Sequence, residues 1–243
     1  EILFEVKNST GIITLNRPDA LNALNLNMAV QFSNQLREWE NNNEIERVLL
    51  MGKGKHFCAG GDVKSVHLSG PFSKLKSEFF SKEYSLNLQI KKFPKPYLSI
   101  WQGVVMGGGV GLSIYGDYRI ATESTKFAMP ETSIGFFPDV GGSFFLSRLD
   151  NNIGKYLGLT GELIQSKDLI NFGLATNFCP EDKIDKLITQ YIIDGSVSNY
   201  ETETSSSFSN AKLDFIQKNF SGDIYEIFNN MRTLSNQEKL ISK

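Results

Sequence analysis

At 243 residues the chain is long enough for one large domain or two small ones, with a core several layers deep. Its 40% hydrophobic content, 21% charged content and net charge of −2 are those of an ordinary globular protein, and exclude the basic balance that nucleic-acid binding asks for. In chain order, "EILFEVKNSTGIITL" reads as two β-runs joined by a polar turn at Asn8 to Gly11, a hairpin signal. Met28, Phe32, Leu36 and Trp39 fall at helical spacing, and "NNN" at 41–43 closes that helix. "RVLLMGKG" supplies a buried strand ending in glycine. A longer helix is predicted from about Phe72 to Lys92, with Phe72, Leu75, Phe79, Leu86 and Ile90 on one face, stopped by Pro94 and Pro96. "YLSIWQG" is the next strand, and the alternation continues through "DYRIAT" and "GGSFFLSRL", an α/β pattern with crossover helices. Beyond about Cys179, "KIDKLITQYIID" looks helical, "TETSSSFSN" is a polar connector, and Ile224, Phe228 and Met231 keep helical spacing.

Two cysteines, Cys58 and Cys179, are too few for a disulfide scaffold, and with His56 and His67 they show no zinc-type ligand spacing, which favours a reducing compartment. Neither a membrane span nor a signal peptide is expected, since no run of about 18 apolar residues and no basic leader is seen. The chain opens on Glu1 rather than Met, which leaves a removed transit peptide open.

Three segments are candidates for chemistry. Gly107, Gly108 and Gly109 in "WQGVVMGGGVGLSIYG" follow a strand and lead into a short apolar helix; they suit either bare amides offered to a developing oxyanion or a tight packing turn. "HFCAGGD" at 56–62 is a second glycine turn after a strand, and the two turns can each give one donor to a two-pronged oxyanion hole. In "FAMPETSIGFFPDVGG" Glu131 and Asp139 stand in an apolar stretch, where desolvation raises carboxylate pKa values toward general acid–base use. The alternative for these two is structural: Glu131 in the first turn of a short helix after Pro130, and Asp139 capping the helix that begins "VGGSFF". Cys58 is a thiol nucleophile beside His56, or small-residue packing; Asp62 orients its own turn; Lys53, Lys55 and Lys64 surround that turn and serve phosphate attraction or plain solubility.

Together these segments resemble the crotonase (enoyl-CoA hydratase/isomerase) superfamily from the first hairpin to about residue 180. "LNRPDALNAL" is similar to its coenzyme-A loop, "FCAGGDV" to its first oxyanion turn and "GVVMGGGVGLS" to its second. "RIATESTKFAMPETSIGFFPDVGGSFFLSRL" is similar over its whole length to the superfamily's branch of 3-hydroxyisobutyryl-CoA hydrolases. The resemblance implies an α/β, crotonase-like ββα spiral core over 1–180 and a helical C-terminal segment over 181–243, truncated relative to that branch. It implies hydrolysis of the thioester of 3-hydroxyisobutyryl-CoA or a similar short hydroxyacyl-CoA in valine breakdown, with no cofactor beyond the coenzyme A of the substrate.

By the same resemblance, the amides of Gly61 and Gly108 bind the thioester oxygen and Glu131 and Asp139 are the catalytic carboxylates. Glu131 acts as nucleophile or as base; Asp139 holds the substrate hydroxyl or the water, or protonates the leaving thiolate. Arg17, Ala20, Leu21, Ala59, Gly60 and Asp62 hold nucleotide and pantetheine, largely through backbone groups. Hydratases of the superfamily carry a second glutamate twenty residues before the first, where this chain has Gly111, so hydration is disfavoured. An enoyl-CoA isomerase and a non-catalytic acyl-CoA-binding relative are the competing expectations. Neither nucleic acid nor membrane is expected as a partner; a homotrimer and a mitochondrial location follow from the resemblance alone.

Overall fold

The computed structural model describes residues 1–200 and 205–241, with side chains to 234, so the opening of the "TETSSSFSN" connector lies outside the described residues. Strands β1 (Ile2–Lys7) and β2 (Thr10–Leu15) form the expected hairpin. Asn8 and Ser9 both take positive φ, 45° and 59°, which is the two-residue turn whose twist matches that of the strands. Helix α1 (Leu26–Asn41) starts where the Asn25 side chain accepts from the Met28 amide, and buries Met28, Phe32, Leu36 and Trp39 as their spacing predicts. Strand β3 (Arg47–Gly52) follows, then a short helix α2 (Val63–Leu68) that the apolar spacing does not announce.

Helix α3 (Leu75–Lys92) begins three residues later than the sequence suggests, and Phe72 lies outside it, 99% exposed. Gly70 at φ 84° and Pro71 spend those residues on a turn, and the helix starts where the Ser73 hydroxyl accepts from the Leu75 amide. After β4 (Tyr97–Trp101) come β5 (Val104–Met106), the single-turn helix α4 (Gly108–Gly111), β6 (Tyr118–Ala121) and β7 (Lys126–Ala128). Next are α5 (Gly142–Leu146), α6 (Ile153–Thr160), β8 (Ile164–Gln165), α7 (Ser166–Asn171) and β9 (Asn177–Phe178). Helices α8 (Ile184–Asp194), α9 (Asn210–Asn219) and α10 (Ile224–Ile241) end the chain.

The strands form a six-stranded sheet of order β1-β2-β3-β4-β6-β9, antiparallel only at the hairpin, and a three-stranded sheet of order β5-β7-β8. Both faces of the larger sheet are covered. Ile13, Leu15, Val48 and Leu50 face a core shared with α1 and α3, while Ile12, Leu49, Leu98, Ile100 and Ile120 face α8 through Ile184, Leu187 and Tyr191. Burial on both sides is why "RVLLMG" and "YLSIW" read as near-continuous apolar runs instead of alternating ones. Each of these side chains contributes about 1.5–3 kcal/mol by leaving water. The α9 and α10 helices reach the first core through Ile216, Phe220 and Ile227, and the connector before them is held at Asp168, which accepts from the hydroxyls of Ser206 and Ser207.

Candidate active site

Parallel pairing aligns the ends of three neighbouring chain segments. Val105 of β5 pairs with Phe127 of β7 on one side and bridges to Cys58 on the other. Two to four residues past that line lie Gly61, Gly107 with Gly108, and Met129 to Glu131, so the C-terminal ends of parallel segments deliver both glycine turns and Glu131 to one place. Met106 donates to the Cys58 carbonyl and Cys58 to that of Val104, both at 3.0 Å, zipping the two glycine turns together. Gly60 at φ 117° and Gly107 at φ 47° take conformations that side chains resist, and these bends bring the Gly61 nitrogen to 3.0 Å from where a Cβ on Gly108 would stand.

This proximity, which spacing could not supply, makes the amides a pair. The bridge between Leu24 and Gly61 uses the Gly60 carbonyl and the Asp62 amide, leaving the Gly61 amide outside it. Gly108 opens α4, where a helix amide has no partner within the helix. Because α4 is one turn long, its macrodipole is small, and the donor itself is the useful group.

Glu131 follows Pro130 in a short 3-10 turn over Glu131–Ile134 and is 7% exposed. Its Oε1 stands 2.9 Å from where a Cβ on Gly107 would be, and its Oε2 is buried without a partner among the described residues. Burial, with some repulsion from Asp139, pushes its carboxyl up to about 7. Asp139 does not cap α5: the cap position is Gly141, and no side chain serves it. Instead the Tyr84 phenol donates to Asp139 Oδ2 at 2.7 Å. Burial raises the Asp139 carboxyl and the Tyr84 bond partly offsets this.

A third carboxylate escaped sequence reasoning. Glu83 of α3 is 2% exposed, and its Oε1, unpartnered among the described residues, occupies the space that a Cβ on Gly108 would need. Burial first, then repulsion from Asp139 and Glu131, pushes its carboxyl up to about 8. The helix lays Phe79, Glu83 and Asn87 along the glycines: a Cβ on Gly61 would meet Phe79, one on Gly108 Glu83, and one on Gly111 Asn87. The available signal was an acidic residue on the apolar stripe of Phe79, Leu86 and Ile90.

Beyond Asp139 opens a cavity of about 430 Å³, lined in part by Tyr84, Asn87, Lys91, Tyr115 and Val140. Phe136 stacks on Phe80 at 6.0 Å and lies 4.3 Å from Phe137, beside the Tyr84–Asp139 pair. Val140 is held at φ 42°, a strained setting for a β-branched residue and one that turns Asp139 and Val140 to the same chamber.

The remaining candidates buttress this arrangement. Arg17 donates to the Ala23 carbonyl at 2.7 Å and pairs with Asp62 at 3.0 Å, so its guanidinium is engaged by protein groups. Asp62 also caps α2 by accepting from Ser65. Ala59 donates to the Leu21 carbonyl and Leu24 to that of Gly60, tying the loop of Ala20 and Leu21 to the first glycine turn. Asn22, fully buried and not singled out by sequence, locks this loop through the carbonyls of Lys53 and His56. Cys58 is fully buried with its thiol pushed up to about 12, which removes it as a nucleophile, and His56 Nδ1 accepts from the Val104 amide. Lys53, Lys55 and Lys64 are exposed. Among the described residues no group of three His, Cys, Asp or Glu could hold a metal, and no helix is long and apolar enough to cross a membrane.

Two strand-end amides faced by buried carboxylates, on this pair of sheets, define a crotonase-type α/β protein. Residues 10–243 match the family described as enoyl-CoA hydratase/isomerase, and the chain belongs to that family. It is 49% identical over 189 residues to a protein of Danio rerio named 3-hydroxyisobutyryl-CoA hydrolase, mitochondrial, covering 77% of this chain and 50% of that one. The Homo sapiens protein of the same name is 43% identical over 215 residues, 84% and 56% of the two chains. The chain thus spans about half the length of these curated relatives. Among solved structures it is similar to a carnitinyl-CoA dehydratase from Mycobacterium thermoresistibile, at 37% identity and a TM-score of 0.87 over 96% of this chain and 70% of that one. An enoyl-CoA hydratase from Rhodobacter sphaeroides gives 36% identity and 0.89 over 95% and 69%.

Proposed function

We propose that this site hydrolyses the thioester of a short hydroxyacyl-CoA, 3-hydroxyisobutyryl-CoA being the substrate named for the similar proteins, in valine breakdown and in the mitochondrion. The observation that carries the reading is the pairing of the Gly61 and Gly108 amides with Glu131 beside Gly107, while Gly111 leaves no room for any side chain. The thioester carbonyl oxygen accepts from the two amides, and charge develops there as the carbonyl carbon is attacked. Glu131, ionised above about pH 7, either adds to that carbon to form an anhydride or takes the proton of an attacking water. The C–S bond breaks and coenzyme A leaves as thiolate, taking its proton from Glu131 where Glu131 has deprotonated the water. On the anhydride path the thiolate takes it from Asp139, and a water then opens the anhydride, regenerating the Glu131 carboxylate, returning a proton to Asp139 and releasing the acid as its carboxylate. Asp139, steadied by Tyr84, orients the water, and Glu83, protonated at neutral pH, adds no second negative charge behind the hole.

The test is thiol release from 3-hydroxyisobutyryl-CoA run beside hydration of crotonyl-CoA. Free coenzyme A without hydration supports the reading. Hydration, or double-bond migration without thiol release, would replace it with a hydratase or isomerase.

A further inference from the structure

The geometry points to Asn87 as the group that recognises a hydroxyl on the acyl chain, an inference that rests on the thioesterase reading of the site. Asn87 is 5% exposed, lines the cavity beyond Asp139, and has both its Nδ2 and Oδ1 buried without a partner among the described residues. An amide left so carries a desolvation cost that a ligand can relieve. Its position is set on two sides. A Cβ on Gly111 would stand 2.8 Å from Nδ2, 3.1 Å from Oδ1 and 2.6 Å from Val140 Cβ, so Gly111 and the strained Val140 hold the amide at the chamber wall.

Register along two helices supplies the distance. Glu83 and Asn87 are one turn apart on α3, opposite Gly108 and Gly111, which are three residues apart on α4. Three helical residues advance about 4.5 Å, the reach from a carbonyl oxygen in the amide pair to a hydroxyl on the acyl β-carbon. Chemistry selects that hydroxyl over other groups. A hydroxyl both donates and accepts, as does a carboxamide, whereas the carboxylates around it only accept once ionised. An acyl group without the hydroxyl leaves Nδ2 and Oδ1 unpaired when it fills the chamber.

The experiment compares 3-hydroxyisobutyryl-CoA with isobutyryl-CoA, which lacks only the hydroxyl. Their dissociation constants are measured by calorimetry on the Glu131→Gln chain, so that turnover does not intrude, and again with Asn87→Leu or Asn87→Ala added. The parent is expected to prefer the hydroxylated thioester by about ten- to a hundredfold, and both Asn87 variants to bring the ratio near one while binding isobutyryl-CoA as before. Leucine keeps the shape and alanine removes bulk, so a loss common to both is a loss of hydrogen bonding. A preference that survives in either folded variant, or equal weakening toward both thioesters, would overturn the assignment. Binding with the expected preference but no thiol release by the unmutated chain would remove the thioesterase reading and leave Asn87 as a hydroxyl-recognising residue; binding of neither thioester by the parent would remove both.

Discussion

Glu83 stands against Gly108 so closely that the glycine can carry no side chain, which places a buried carboxyl directly against the first residue of α4. Its carboxyl lies near 8 where an ordinary glutamate lies at 4.5. A folded-state pKa above the unfolded one means that the native chain holds the extra proton between those values. That stability is full below about pH 4.5 and is lost as pH rises through about 8. Glu83→Gln should therefore flatten the fall of stability between pH 5 and 8.5, leaving the variant more stable than its parent at pH 8.5 by an amount on the order of several kcal/mol, since about 1.4 kcal/mol per pKa unit acts over the rise from 4.5 to about 8. Denaturant titrations at several pH values check this, and parallel curves for the two chains would contradict it.

Glu131→Gln should leave the melting temperature within a few degrees of the parent and reduce thiol release by more than about a hundredfold, the scale of general-base or nucleophile loss. In the parent, kcat/KM should rise with pH through about 7 as Glu131 loses its proton. A folded Gln variant with parental turnover would remove Glu131 from the mechanism. In a single turnover in ¹⁸O-water, label entering the Glu131 side chain marks the anhydride, opened by water at the glutamyl carbonyl, whereas label confined to the released acid places the attack of water at the acyl carbon by either route.

Gly111 is closed by Val140 and Asn87, so Gly111→Ala should cost about 1–3 kcal/mol of stability through overpacking. Adding Asn87→Ala should recover only part of this, because the Val140 contact remains. Thermal unfolding of the single and double variants reads the difference, and a neutral Gly111→Ala would mean that the chamber wall yields.

Tyr84→Phe removes the donor that holds the Asp139 carboxyl down, so that carboxyl should titrate at higher pH than in the parent. Carboxyl-carbon NMR of the labelled side chain reports it directly. An unchanged Asp139 titration would show that burial alone sets its behaviour.

The hairpin, α1 and the buried strands were legible because each is set by local rules: a turn pair at Asn8 and Ser9, apolar spacing from Met28 to Trp39, and apolar runs ended by glycine. The start of α3 was misread because Phe72 fits the helical period while Gly70 and Pro71 bend the chain there, and a period carries no information about turn geometry. Asp139 likewise offered a capping role that local pattern favours and Gly141 fills. Glu83 and Asn87 were hidden for a different reason. A polar residue on an apolar helical stripe has meaning only once its neighbour across the helix interface is known, and those neighbours, Gly108 and Gly111, lie more than twenty residues along the chain.

By itself, then, the sequence determined the element types, the two glycine turns and the apolar setting of Glu131 and Asp139, since propensity, backbone freedom and desolvation act over a few residues at a time. Only the tertiary structure decided that Gly61, Gly108 and Glu131 meet, because their meeting depends on the parallel register of Cys58, Val105 and Phe127. It likewise decided which chamber they face, because the close approach of α3 to glycines without Cβ atoms is a property of packing that no stretch of chain encodes alone.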